Sequence, residues 1–293
     1  MITVKRKIHK SVIFLVLAII SGLFLFPIII TVSNSFMSPF EVTNRYTTVI
    51  TPENIFHQRG VMNFVNMSLI PNFVTLRQYF RLLFETPQYL GLLWNSVLLT
   101  LPVVFGQLLI SVPGAYAFEM SKFKYKEAVF FVYIIVMLMP LQVTLVPNFI
   151  VADFFNIRES YLAIILPGIF NPFGVFLIRQ FLRGMPKEYI ESMKVDGAGH
   201  LTILSALVTP LIKSAIAAVV ILTFVEYWNI VDQAIVFIRD AHNEPLSVYL
   251  SRLSVANSDM IFSASTFYML PAVLIFLFGQ EYMVEGIQLS GLK

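Results

Sequence analysis

Long apolar stretches alternate with short polar ones along the whole chain. A helix that crosses a membrane needs about 20 mostly apolar residues. Six stretches reach that length, at roughly 11–35, 89–113, 127–150, 160–180, 206–230 and 260–283. The pattern predicts an all-α, polytopic membrane protein with about six transmembrane helices, folded as a single transmembrane domain over residues 1–293. Pro27, Pro102, Pro140, Pro147 and Pro167 fall inside these stretches. Membrane helices tolerate proline where neighbours satisfy the freed carbonyls. The first stretch competes with a secretory signal, whose apolar core runs about 7–15 residues before a small-x-small site. Here the run continues through Phe26, Pro27 and Ile28 to Ile30, and Ser33-Asn34-Ser35 is a poor cleavage site. An uncleaved first helix is therefore expected.

The polar interruptions are uneven. The segment from about 37 to 88 ends in Thr75–Phe84, whose apolar and polar residues alternate with helical spacing. That helix fits either the outer membrane interface or the protein's own outer face. A second outer segment runs from about 232 to 259, and a polar stretch of nearly thirty residues lies between the fourth and fifth apolar runs. No repeat suggests a solenoid.

Composition strengthens the membrane reading. The chain is 57% hydrophobic and 13% charged, with mean hydropathy +0.79, whereas soluble domains carry roughly 25% charged residues. Charge also orients it. With the N-terminus cytoplasmic, thirteen of the twenty Lys and Arg lie inside, among them Lys5, Arg6, Lys7, Lys10, Lys122, Lys124 and Lys126. Four of the seven outside lie in the long 37–88 loop, and short loops weigh most in the positive-inside rule. Both termini are therefore expected in the cytoplasm. The absence of cysteine excludes disulfides and thiol chemistry. His9, His57, His200 and His242 form no i,i+4 pair, so no metal site is expected. No basic run interleaved with aromatics points to nucleic acid.

The stretch Arg183–Pro210 reads as a helix–turn–helix on the cytoplasmic side. Pro186 and Glu188 suit a helix start, and Gly197 and Gly199 break the helix that follows. A plain solvated hairpin is the simpler reading of the same residues. The spacing carries more. Glu191-Ser192-Met193 is followed by Gly197 four residues on, and by Pro210 thirteen beyond that. This resembles the cytoplasmic EAA loop of binding-protein-dependent ABC importer permeases, with Ser192 and Met193 standing where that pattern has two alanines. Asn95-Ser96, Ala115-Tyr116-Ala117, Met139-Pro140 to Pro147, Phe176–Phe181 and Leu270-Pro271 through Lys293 are similar to the carbohydrate branch, in particular the smaller six-span subunit of maltose-type importers.

That resemblance implies a permease domain in the bacterial cell membrane that moves a sugar or oligosaccharide by alternating access. It implies four partner types: a second permease subunit as heterodimer, two cytoplasmic ATPase subunits, a substrate-binding protein outside, and lipid. ATP and Mg would reside in the ATPase partner, since this chain lacks the GxxxxGK[ST] loop, so the chain is not expected to be an enzyme. Glu188, Glu191, Met193, Asp196, Gly197 and Ala198 would form the ATPase-docking loop. Gly197 would allow the turn, Asp196 would cap it or pair with a partner base, and Met193 would fill an apolar pocket on the ATPase. The cytoplasmic tail, about 284–293, would reach the ATPase as well.

Glu226 interrupts the fifth apolar run beside Tyr227, Trp228 and Asn229. A carboxylate inside a membrane is costly unless it faces a cavity or a partner, and sugars are held by aromatic faces and planar polar groups. These four, with Asn148 and Asn171, are the candidate substrate path. The competing readings are an outer aromatic belt for Tyr227 and Trp228, an arginine partner for Glu226, and interhelical hydrogen bonds for the asparagines. Glu244 and Arg252, in the outer segment, are the candidate binding-protein contacts. Alternatives are an ABC permease for an amino acid or peptide and an ion-driven transporter. The latter would need charged pairs within spans, where Glu226 stands by itself. An intramembrane enzyme would need a base, and no span contains histidine.

Overall fold

The computed structural model describes the backbone of residues 2–46, 68–186, 188–253 and 259–290, and the side chains of 10–46, 68–186, 188–253 and 259–282. The described residues are almost wholly helical: α1 (Ile2–Asn34), α2 (Pro39–Tyr46), α3 (Arg77–Phe80, widening into a π-helical segment Arg81–Glu85), α4 (Pro87–Met120), α5 (Lys126–Met137), α6 (Leu141–Phe154), α7 (Leu162–Ile169), α8 (Pro172–Arg183), α9 (Glu188–Val195), α10 (His200–Leu211, π-helical over Ile203–Val208), α11 (Lys213–Trp228), α12 (Asp232–Phe237), α13 (Leu246–Arg252) and α14 (Ile261–Ser290).

Among the described residues, four helical stretches are long and apolar enough to cross a membrane: Lys10–Asn34, Pro87–Met120, Leu162–Arg183 and Ile261–Tyr282. The other two expected spans are bent. The 127–150 run breaks by 99° between α5 and α6, and the 206–230 run bends by 77° between α10 and α11. Proline explains the first break. Pro140 has no N–H to continue α5 and sits extended, with φ −66° and ψ 147°, as the residue before α6. Pro210 helps explain why α10 is π-helical just before it, and Thr209 Oγ1 donates at 2.8 Å to the carbonyl of Leu204, five residues back.

The chain divides into two compact units, Met1–Leu90 with Arg252–Met269, and Gly91–Ser251 with Leu270–Lys293. In the first, Met37, Val42 and Tyr46 pack with Phe262. The Glu41 carboxylate accepts from the backbone N–H of Asn72 at 3.0 Å and of Phe73 at 3.3 Å, and pairs with Arg45 at 3.0 Å. The expected amphipathic helix at 75–84 is present as α3. Gln78 and Leu82 are buried, with Gln78 Nε2 donating to the Met37 carbonyl at 2.6 Å, while Phe80 and Phe84 are exposed. α3 thus packs on the protein's own face and also presents an apolar side. Residues 47–67 of the long loop lie outside the described residues.

In the second unit two apolar cores form. One joins Leu99, Val103, Ile164, Tyr227, Phe237 and Val248. The other joins Tyr116, Ile178, Leu182, Ile190, Ile203, Val208 and Val219. Close helix contact is visible at Gly168, where a Cβ would meet the Tyr227 hydroxyl at 2.7 Å and Val103 at 2.8 Å. α1 by contrast exposes apolar side chains all round, as a helix surrounded by lipid or another chain does.

Candidate functional site

Two regions carry the residues singled out in the sequence. The first is the loop entered by α8 and left through α10. α9 ends by a Schellman turn. Gly197 has φ +82°, its N–H bonds the Lys194 carbonyl at 3.1 Å, and the Ala198 N–H bonds the Met193 carbonyl at 2.9 Å. The left-handed conformation explains glycine here, because a side chain would crowd the following carbonyl. Asn156 closes α6 in the same way at φ 55°. Asp196 occupies the C-cap position of α9. Its side chain is exposed, with no partner among the described residues, which leaves it open to a base on another chain.

Met193 corrects one expectation. It is half-buried and packs with Ala198 against the chain's own core of Ile190, Ile203 and Val208. The apolar contact between these two positions is the usual companion of a Schellman turn. Met193 therefore anchors the loop from within and is not a projecting side chain. The apolar residues that do project are Tyr189, Val195 at 88% exposed and Leu201 at 82% exposed. They share the surface with exposed Glu188, Glu191 and Asp196. Sequence reasoning passed over Val195 and Leu201, although two aliphatic residues flanking Asp-Gly-Ala-Gly-His were a readable signal.

The second region is a cavity of about 230 Å³ at the end of α11, lined by Glu226, Tyr227, Asn229, Asp232, Gln233 and Leu141 among others. It brings together three of the expected path residues and adds Asp232 and Gln233. The others fall elsewhere. Trp228 is 2% exposed and stacks on Phe224 at 5.2 Å between ring centres, so it is core and cannot present a ring to a ligand. Asn171 is the N-cap of α8, its Oδ1 accepting from Phe173 N–H at 3.0 Å. Asn148, half-buried on α6, is not among the lining residues. The Asn229 amide donates to the Val225 carbonyl at 2.8 Å and helps close its own helix.

The outer segment between α12 and α13 is strapped down. Asn95 Nδ2 donates to the His242 carbonyl at 2.7 Å and the Glu244 carbonyl at 3.0 Å, and the Leu246 N–H donates to Ser96 Oγ at 2.8 Å. Tyr161 Oη donates to the Asn243 carbonyl at 2.8 Å; burial, with Asp240 nearby, holds its phenol above the usual tyrosine range and so keeps it a donor. This strapping buries Glu244, which is 6% exposed, so its side chain is not a docking surface as expected. Arg252 is exposed. The exposed tip is Arg239–Asn243, where Arg239 pairs with Glu159 at 3.5 Å.

With this geometry in hand, the comparisons with known proteins are specific. The family described as binding-protein-dependent transport system inner membrane component matches residues 4–288. The arabinooligosaccharides transport system permease protein of Bacillus subtilis (strain 168) is 30% identical over 232 residues, covering 78% of this chain and 83% of that one. An sn-glycerol-3-phosphate transport system permease protein of Pectobacterium atrosepticum is 27% identical over 202 residues, covering 67% and 72%. A solved bacterial ABC transporter involved in the import of the acidic polysaccharide alginate superposes with TM-score 0.75 at 22% identity, covering 94% of this chain and 97% of its counterpart. That last likeness shows the fold.

Proposed function

The chain belongs to the family of binding-protein-dependent transport system inner membrane components, and from that membership we propose how it works. It is a membrane permease component of an ABC importer, acts together with other components of such a transporter, and leaves ATP hydrolysis to a separate subunit. Our reading adds that the cargo is a sugar or oligosaccharide, that the chain pairs with a second, non-identical permease, and that two ATPase subunits holding ATP and Mg sit beneath it. Both termini face the cytoplasm, and a binding protein delivers cargo at the outer tip, Arg239–Asn243, with exposed Arg252 as a further contact.

One observation carries this reading. The loop between α8 and α11 is a pre-formed, Schellman-closed hairpin that presents Val195, Leu201 and Tyr189 among Glu188, Glu191 and Asp196. Projecting apolar side chains set among carboxylates are suited to a groove with basic edges on a cytoplasmic partner. The cargo assignment is supported by the cavity at the end of α11. Glu226, Asp232 and Gln233 supply planar polar groups, and none of its lining residues is basic. Such a lining favours an uncharged saccharide over a uronate or a sugar phosphate, whose charge would meet two carboxylates.

The test is ATP hydrolysis by the purified complex in lipid, with binding protein loaded in turn with a neutral oligosaccharide, a uronate oligosaccharide and an amino acid. Stimulation by the neutral sugar, abolished by Val195→Glu with all subunits still assembled and inserted, is the expected result. Stimulation by the amino acid alone moves the chain to another branch of the family.

A further inference from the structure

The proposed loop needs a route by which its movement reaches the membrane helices. One helix end touches it on both sides. α4 finishes at Met120, and its last turns carry Tyr116 and Glu119. Three residues apart, these stand on one face of the helix. Glu119 Oε2 accepts from Arg179 Nε at 3.3 Å, and Arg179 lies on α8, the helix that enters the loop. Tyr116 Oη lies 3.0 Å from Nδ1 of His200, the residue that opens α10 and begins the way out of the loop.

The entry-side contact is unusual in its burial. Arg179 is 0% exposed and the largest fully buried side chain among the described residues. Its Nη2 donates to Glu127 Oε1 at 2.6 Å at the start of α5, and its guanidinium lies 3.8 Å from the centre of the Phe130 ring. Arg183, one turn on, adds longer contacts to the same two carboxylates, at 3.9 and 3.6 Å. A buried guanidinium is stable only while its carboxylates stay in place. The cluster therefore has one good arrangement, and it binds α4, α5 and α8 into a body that moves together. Nη1 has no hydrogen-bond partner among the described residues, so the arginine is held by these carboxylates and by the face of Phe130. The exit-side contact is lighter. Tyr116 is 6% exposed and His200 is exposed, their rings meeting edge-on at 6.0 Å.

We infer that Tyr116 and Glu119 form a double latch, gripping the loop's entry through Arg179 and its exit through His200, so that a push on the loop is delivered to α4. This rests on the reading of the 183–210 loop as the coupling element, and names the residues that carry its motion onward. All four are positioning residues. None touches cargo or nucleotide. Arg179 is the firm anchor and His200 the adjustable one, since a single part-buried hydrogen bond to an exposed ring can break and re-form while a fully buried guanidinium stays with its carboxylates.

The test uses the assembled transporter in vesicles and reads two quantities at once, cargo imported and ATP hydrolysed. A residue that matters only for folding lowers both together and leaves their ratio unchanged. Tyr116→Phe removes one oxygen and keeps the ring in its core, and Glu119→Gln keeps the shape of the carboxylate. Each is expected to lower cargo imported per ATP by about fivefold, the factor typical of one lost hydrogen bond, with hydrolysis retained. His200→Ala is expected to match Tyr116→Phe, and the double variant Tyr116→Phe/His200→Ala to be no worse than either. A chain without native cysteine also permits a single spin label at Lys194→Cys, whose mobility is expected to rise in Tyr116→Phe. An unchanged import-to-hydrolysis ratio in both Tyr116→Phe and Glu119→Gln, in a native complex that couples normally, overturns the latch alone. A native complex whose hydrolysis ignores loaded binding protein overturns the functional reading and the latch with it.

Discussion

Gly197→Ala isolates backbone strain from every other effect. At φ +82° the residue lies in the left-handed region, and a Cβ built there meets nothing within 4 Å. Substitution therefore brings no clash and no lost contact, only the cost of holding an L-residue left-handed, about 1–2 kcal/mol. Alanine also restricts the unfolded chain, which returns roughly 0.4–1 kcal/mol. The net is about 1 kcal/mol, or roughly a fivefold fall in the closed turn relative to an opened one. Gly199, two residues on, provides the control. It sits at φ −72° and ψ 165° with equally open surroundings, so Gly199→Ala carries no strain. The assay is hydrogen exchange of the segment 188–203 in the lipid-embedded complex. Its readout is the Gly197 and Ala198 N–H groups, whose acceptors are the Lys194 and Met193 carbonyls. Exchange is expected about fivefold faster in Gly197→Ala, less so in Gly197→Asn because asparagine tolerates this region, and unchanged in Gly199→Ala, following the net strain above. Equal exchange in Gly197→Ala and Gly199→Ala would refute the reasoning.

Three further outcomes are expected. Gly168→Ala drives a methyl against the Tyr227 hydroxyl and Val103 and should cost about 1–3 kcal/mol, seen as a lower unfolding midpoint that Gly91→Ala, with nothing within 4 Å, does not share. Glu41→Ala strips the acceptor from the N–H groups of Asn72 and Phe73, a loss of about 1.5–3 kcal/mol, and should speed proteolysis within 68–76 while leaving the 188–203 segment's exchange unaltered. Arg81→Ala removes a 2.7 Å pair with Asp259 whose side chains are 34% and 25% exposed; screening limits it to under about 1 kcal/mol, so a large drop in midpoint would contradict the assignment of that pair as a surface contact.

The double latch and the Schellman turn divide the work of the loop. The turn gives the loop its shape before any partner arrives, since Met193 and Ala198 pack on the chain's own core. The latch ties that shape to α4. Stiffness and connection then come from different residues, and the substitutions above separate them.

Much was legible in the linear chain. Contiguous apolar runs reveal spanning segments because transfer into lipid accumulates residue by residue. Gly197 was readable as a turn because a left-handed position favours one residue type whatever surrounds it. Bends were not legible: Pro140 and Pro210 lie at the two runs that bend, yet Pro27, Pro102 and Pro147 lie within unbroken helices, so proline by itself did not say which run would break. Arg179 was legible only as an inside charge within Phe176–Phe181, since its partners Glu119 and Glu127 are 60 and 52 residues away. Glu244 was expected at a docking surface and Trp228 on the substrate path, and both are buried, one beneath the strap from Asn95 and Ser96 and the other against Phe224. Helix type, span length and turn position are local properties, written in neighbours along the chain. Which face of a helix is covered, and which charge finds its partner, are set by residues brought together from far apart, and here only packing could reveal them.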